Sequence, residues 1–181
     1  MYRCSTMDLS KHQSKYLHST FPEQFELQFY KNFHSLKKLG CDYFYFLGFN
    51  SGMSHRFCTD DNWIDFYHDE KFILDDPLKR IAEANTFIAL PWSQITFSKK
   101  AEKRAIEGRQ SFGLYNGITI TRERNNKKYI FALSTEEMNH DLARYLLLEK
   151  GSILQDFLTN CINLFDQYLC MIFEDSNLII N

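Results

Sequence analysis

Residues 116–134 read NGITITRERNNKKYIFALS, and in this stretch two strand patterns flank a turn signal. Isoleucine and threonine alternate over residues 118–121, and such a period of two is typical of a strand with one buried face. Asn125 and Asn126 separate this run from the second strand, residues 129–134, and asparagine suits the left-handed backbone of tight hairpin turns. The stretch therefore predicts a β-hairpin and, with it, antiparallel strand pairing.

A second hairpin is predicted nearer the N-terminus. Residues 42–50 read DYFYFLGFN and predict a strand, Ser51-Gly52 predicts a turn, and residues 55–59 can form the return strand. The spacing of apolar residues predicts helices around these hairpins, near residues 21–39, 60–67, 98–112, 136–149 and 152–173. The order of elements predicts an α+β fold in which helices cover both faces of an antiparallel sheet.

The length of the chain favours one domain. Of its 181 residues, 1–19 are polar and predict an N-terminal arm, so residues 20–181 form the predicted domain. Within that domain, the helix near 98–112 carries many charges and few apolar residues, so we expect it to lie mostly in solvent.

The composition excludes several classes of protein. Hydrophobic residues make up 44% of the chain and charged residues 24%, which excludes wholesale disorder. A net charge of −2 gives no general attraction to nucleic acids or anionic membranes. Five irregularly spaced cysteines argue against a disulfide scaffold. With no signal peptide and no membrane-spanning run, the sequence predicts a cytoplasmic protein.

Four residues predict a small-molecule site. Trp63 and Tyr67 are four apart and share one helix face, and each carries a polar group on an apolar ring. Asp76 precedes a proline and can cap a new helix, and Trp92 follows an apolar run. Together they predict an apolar pocket with a few placed polar groups.

These residues and their order resemble the signal-binding domain of LuxR-type quorum-sensing regulators. The resemblance rests on a Trp-x3-Tyr pair, the Asp-Pro thirteen residues after the Trp, the Trp at 92 and the Gly-Ile-Thr strand that begins at Gly117. It runs from about residue 20 to the end of the chain. It implies an α/β/α sandwich around a five-stranded antiparallel sheet, in agreement with the order of elements.

The resemblance also implies a ligand, an N-acyl-homoserine lactone. By position, Trp63 would donate its indole N–H to the lactone carbonyl, and Asp76 would accept from the ligand amide N–H. Tyr67 and Trp92 would wall the head group and the acyl chain. No metal and no cofactor are implied.

Two positions depart from the family pattern. Thr59 stands where the family usually has the tyrosine that binds the acyl amide carbonyl, and its shorter hydroxyl needs a water or a different ligand. The alignment with the family, accurate to within one residue, places Ala132 where family members often have serine or threonine. We therefore expect Thr59 near the ligand, which need not be an ordinary acyl-homoserine lactone.

Two hypotheses about function follow. Nothing in residues 1–181 resembles the C-terminal helix-turn-helix domain of the family, so we expect no direct DNA binding. The chain is then either a stand-alone sensor that regulates transcription indirectly, as a homodimer or with a LuxR-type partner, or a ligand-independent protein that inhibits a full-length regulator through mixed dimers. The helices of 136–173, with the long apolar face of 152–173, are the predicted partner surface.

Enzymatic chemistry finds little support in the sequence. His55, Cys58 and His68 lack a further ligand at metal-binding spacing and do not make a convincing Cys–His pair. The acidic pairs at 60–61 and 75–76 are more typical of helix caps than of acid–base catalysis. We therefore predict a binding protein rather than an enzyme.

Overall fold

The computed structural model describes residues 20–178, and in it the two hairpins join in one antiparallel sheet. Its five strands lie in the spatial order β2-β1-β5-β4-β3. Thus β1 pairs with β5 and joins the two hairpins, while β2 and β3 form the edges of the sheet. The strands are β1 (Tyr43–Asn50), β2 (Met53–Cys58), β3 (Ile88–Pro91), β4 (Asn116–Arg124) and β5 (Lys127–Thr135). The predicted arm, residues 1–19, lies outside the described residues.

Within residues 20–178, six α-helices cover the two faces of this sheet, which confirms the predicted α/β/α sandwich. Three short single-turn segments, residues 72–74, 92–94 and 145–149, supplement them. None of the helices described between residues 20 and 178 has the length and apolar character needed to cross a membrane. The helices are α1 (Glu23–Lys37), α2 (Asp61–Asp69), α3 (Pro77–Ala84), α4 (Lys100–Ser111), α5 (Leu142–Arg144) and α6 (Gly151–Leu178).

The turn between β4 and β5 forms as predicted. Asn125 and Asn126 have φ angles of 54° and 58°, so both occupy the left-handed region that a two-residue hairpin turn of type I′ requires. The register that follows pairs Thr119 with Ala132 and Ile118 with Leu133. The turn therefore decides which side chains face each helix layer, because a slip of one residue would exchange the two faces.

One face of the sheet packs against α1 and α6. Alternate strand residues such as Phe44, Phe46 and Phe131 meet Phe29 of α1 and Phe165 of α6 in an aromatic core. The apolar face of 152–173, predicted to bind a partner, is thus largely occupied by the protein's own core. That prediction was wrong for the buried part of the face, because a stripe that can bind a partner can equally cover a sheet.

The opposite face of the sheet packs against α2, α3 and α4. Here α4 corrects a second prediction, since one stripe of the supposedly solvated helix is buried, including Glu102, Ala105 and Arg109. The helix predicted for residues 136–149 also begins later, because β5 extends to Thr135 and Asp141 caps α5 instead. The buried stripe of α4 consists of small and charged residues, so a pattern based on hydrophobicity did not predict its burial.

Candidate functional site

A cavity of about 80 Å³ lies between the sheet and helices α2 to α4. Its floor comes from one face of the sheet, because alternate residues on β1, β4 and β5 point the same way. Its lining includes Trp63 and Tyr67 of α2, Asp76 at the start of α3 and Arg109 of α4, and the floor includes Tyr43, Tyr45, Thr119 and Ala132. Three of the predicted site residues therefore meet in one place.

Helix α2 carries the two aromatic residues. Asp60 caps the helix, and its side chain accepts from the backbone N–H of Trp63 at 3.0 Å. One turn later Tyr67 lies beside Trp63, with the ring centroids 5.4 Å apart in an edge-to-face arrangement. Both side chains are buried. The indole N–H of Trp63 has no hydrogen-bond acceptor among residues 20–178, so it remains able to donate to a ligand.

Asp76 caps the next helix, as predicted. Its Oδ1 accepts from the backbone N–H of Leu78 at 3.0 Å, and Pro77 occupies the first turn of α3. The hydroxyl of Tyr67 donates to Oδ2 of Asp76 at 2.9 Å. Burial raises the pKa of Tyr67 well above its usual value, and the negative charge of Asp76 raises it further. Tyr67 therefore stays protonated and keeps this bond.

Arg109 is the residue that the sequence analysis missed. Its Nη2 lies 2.6 Å from Oδ2 of Asp76 and its Nη1 lies 3.2 Å from Oδ1, so the guanidinium forms a bidentate salt bridge with the carboxylate. The Arg109 side chain is 11% exposed and that of Asp76 2%. Burial alone would lower the pKa of Arg109, but the charge and hydrogen bonds of Asp76 outweigh burial and raise it.

Aromatic rings surround the Arg109 guanidinium. Its central carbon lies 5.5 Å from the ring centroid of Trp63, 5.7 Å from that of Tyr67 and 5.4 Å from that of Trp92. Aromatic faces are negative and attract cations at this range. The ion pair thus sits inside an aromatic cage at the buried end of the cavity.

Contacts along α4 hold Arg109 in this position. Gly108 lets the ring of Phe72 lie against the helix, because a Cβ at 108 would clash with that ring. Glu102 accepts from the backbone N–H of Ser98 and from Arg80 of α3, at 2.8 and 2.9 Å. The bond from Ser98 is the main reason that the pKa of Glu102 falls to about 2. These contacts position α4 against α3 and the segment at residues 72–74.

Two predicted site residues do not line the cavity. The indole N–H of Trp92 donates to Oγ1 of Thr119 at 2.9 Å, and its ring packs on Gly117, where a Cβ would come within 2.8 Å of it. Thr59 accepts from the backbone N–H of Phe44 at 2.9 Å. Trp92 therefore touches the site through Arg109, whereas Thr59 extends the pairing of β1 and β2.

The arrangement is suited to binding. The thiol of Cys58 contacts the hydroxyl of Tyr43, which lines the cavity, and burial raises the pKa of this thiol to about 12, so it is not a thiolate nucleophile. Within residues 20–178, no cluster of three or more His, Cys, Asp or Glu side chains could hold a metal ion.

A weak signal for Arg109 was present in the sequence. Ala105, Gly108 and Arg109 are spaced i, i+3 and i+4, which places them on one stripe of a helix. The two small residues allow a neighbouring layer to approach the helix closely. An arginine beside them is then directed inward, although its charge alone predicts exposure.

The chain is similar to known proteins in both sequence and structure. Residues 33–157 match the model of the autoinducer binding domain family. No curated protein matches the chain by sequence.

Three solved structures illustrate the similarity of fold. Escherichia coli SdiA is 18% identical, with a TM-score of 0.61, and the match covers 81% of this chain and 64% of that one. SdiA in complex with octanoyl-rac-glycerol is 16% identical, with a TM-score of 0.60 over 89% and 69%. CepR2 of Burkholderia cenocepacia, described as an N-acylhomoserine lactone dependent LuxR family transcription factor, is 12% identical, with a TM-score of 0.52 over 81% and 96%.

Proposed function

Because the chain belongs to the autoinducer-binding domain family, we propose that it binds an amphipathic acyl signal, of the acyl-homoserine lactone kind or close to it, and regulates transcription indirectly. The observation that carries this proposal is the meeting of Trp63, Tyr67 and Asp76 at one buried cavity. Few polar groups in an otherwise apolar wall are typical of small-molecule sites.

The cavity offers a polar end and an apolar end. Trp63 and Arg109 supply hydrogen-bond donors at the first, and Leu47, Ala82 and Ile130 form a small apolar cluster at the second. An acyl chain on the apolar side would contribute about 0.8 kcal/mol for each buried methylene. The proposed ligand therefore has an oxygen-bearing head group and an aliphatic tail.

Ligand entry would need the cavity to enlarge. Sites for drug-sized ligands measure roughly 300–1,000 Å³, whereas this cavity holds about 80 Å³. Its lining includes half-buried His68 and Lys79 and exposed Glu83, and we expect it to widen beside these less buried residues. Binding would then stabilise the expanded fold by mass action, and the output is a longer folded lifetime or a change in dimer formation.

A thermal melt with a panel of acyl-homoserine lactones and acylglycerols of different chain lengths tests the proposal. At a free ligand concentration one hundred times Kd, the fold gains about 2.7 kcal/mol, a rise in Tm of about 5–10 °C for a domain of this size. A rise that depends on chain length is the expected result. If no ligand in the panel raises the Tm of the folded protein, the proposal is wrong.

Two matched variants locate the site. Trp63→Phe removes an indole N–H that can reach the ligand, and we expect Kd to rise about tenfold. Trp92→Phe makes the same change where the indole already bonds Thr119, so we expect a smaller change in Kd. Equal effects on ligand affinity would contradict the proposed role of Trp63.

A second candidate function is ligand-independent inhibition of a full-length LuxR-type regulator through mixed dimers. The observation that favours it is Arg109, whose guanidinium already fills the aromatic end of the pocket. Exposed apolar residues for such pairing remain near the start of α6, including Leu148 and Ile153. A reporter assay separates the two functions, because repression that is unchanged by added signal supports this one.

A further inference from the structure

We propose that Arg109 makes the pocket select head groups that accept hydrogen bonds and carry no N–H donor, so that an acyl ester binds more tightly than the matching N-acyl amide. This inference rests on the proposed function, since it concerns the ligand of the same cavity. It goes beyond that function because it names the functional group that the site discriminates.

Asp76 has a limited capacity to accept hydrogen bonds. A carboxylate offers about four acceptor positions on its two oxygens. Oδ1 accepts from the backbone of Leu78 and from Nη1 of Arg109, and Oδ2 accepts from the hydroxyl of Tyr67 and from Nη2 of Arg109. All four positions are therefore in use, and Asp76 has no capacity left for an N–H group of a ligand.

The other oxygens at the buried end offer little instead. Oγ1 of Thr119 accepts from Trp92, and the hydroxyl of Tyr43 accepts from the thiol of Cys58. The hydroxyl of Tyr45 is a neutral acceptor, and neutral acceptors bind a donor less strongly than a carboxylate does. A ligand N–H at this end would thus exchange water for a poor partner.

Donors at the same end are in surplus. Arg109 has five N–H groups and gives two of them to Asp76, and no other acceptor for it occurs among residues 20–178. Trp63 also lines the cavity, and its indole N–H has no acceptor in that part of the chain. A carbonyl or ester oxygen placed here would meet charge-assisted donors.

The size of the discrimination follows from leaving one donor without a partner. A buried N–H that loses its hydrogen bond weakens binding by about five- to 150-fold. An ester replaces this N–H with an oxygen of similar size and keeps both carbonyl groups. The two ligands therefore differ at the one atom that the saturated Asp76 cannot bond.

The experiment uses N-hexanoyl-homoserine lactone and its ester isostere, 2-hexanoyloxy-γ-butyrolactone. Isothermal titration calorimetry gives Kd for both ligands with the wild-type protein and with Arg109→Gln. Glutamine can still donate one N–H to Asp76, and one carboxylate oxygen of Asp76 then becomes available to accept from the ligand. We expect the wild type to bind the ester at least about fivefold more tightly, and the variant to lose or reverse this preference.

Several results would overturn the inference. Wild-type protein that binds the amide as tightly as the ester, or more tightly, would show that Asp76 is available, while the proposed signal-binding function would stand. An ester preference that persists in a folded Arg109→Gln protein would remove Arg109 as its cause. If the variant does not fold, the wild-type comparison decides alone. Absence of binding by both lactones and by the whole acyl panel would instead defeat the proposed function.

Discussion

Replacing Arg109 by methionine is expected to cost the fold about 3–5 kcal/mol, the range for breaking a buried ion pair by removing one partner. The side chain of Asp76 is 2% exposed, and after the change only Tyr67 and the backbone of Leu78 still donate to it. Methionine keeps most of the volume of arginine, so the cavity contribution is small. The loss therefore reports the uncompensated charge of Asp76.

Thermal and urea unfolding followed by circular dichroism measure this loss. A domain of 150–250 residues changes its Tm by about 2–4 °C for each kcal/mol, so the expected fall is about 6–20 °C. Arg104→Met is the matched control on the same helix, because Arg104 pairs with Glu70 at the same kind of distance, 2.9 Å, but its side chain is 59% exposed. An exposed pair contributes about 0–1 kcal/mol.

A double-mutant cycle with Asp76→Asn tests the reasoning further. Asp76→Asn leaves the Arg109 cation among Trp63, Tyr67 and Trp92, whose rings still attract it, so this variant should lose less stability than Arg109→Met. The double variant should be more stable than additivity predicts, by about 1–3 kcal/mol. A loss below about 1 kcal/mol for Arg109→Met, or strict additivity, would refute the buried ion pair.

Three further predictions follow from single contacts. The pKa of Glu102 in the folded protein is about 2, below its ordinary value of 4.5. Its contribution to stability is therefore complete above pH 4.5 and is lost as the pH falls toward 2. Glu102→Gln should lower the Tm at pH 7, and the difference in Tm between variant and wild type should shrink between pH 4.5 and 2. Gly117→Ala should destabilise the protein by about 1–3 kcal/mol in urea titrations, since a Cβ would come within 2.8 Å of Trp92. Thr59→Val should lower the Tm by removing its bond to the backbone of Phe44, while Kd for acyl ligands stays unchanged; a rise in Kd would place Thr59 in the ligand site after all.

Local patterns explain why much of the fold was predictable. The two asparagines at 125 and 126 decide a turn within two residues, and alternation decides which neighbours face the same layer. The N-cap role of Asp76 depends only on the residues that follow it. The spacing of Trp63 and Tyr67 likewise places both on one side of α2.

The sequence pattern does not specify which surface covers an apolar face or which side chain pairs with a charge, and the predictions that depended on these partners were less accurate. The apolar stripe of α6 indicates a buried face without saying whether α1, the sheet or another chain covers it. The charges of α4 indicate solvent, yet Glu102 and Arg109 are buried because each has ionic partners. Hydrophobicity alone cannot distinguish a solvated charge from a paired one.

The sequence by itself determined the two hairpins, the shared face of Trp63 and Tyr67 and the N-cap role of Asp76, because turn geometry and residue spacing act over a few neighbouring positions. Only the tertiary structure decided which side chain pairs with Asp76. Its partner Arg109 lies 33 residues further along the chain and reaches it only when α4 packs beside α3. The strength of a buried ion pair depends on sub-ångström placement and on the exclusion of water, and both arise from the packing of the helices on the sheet.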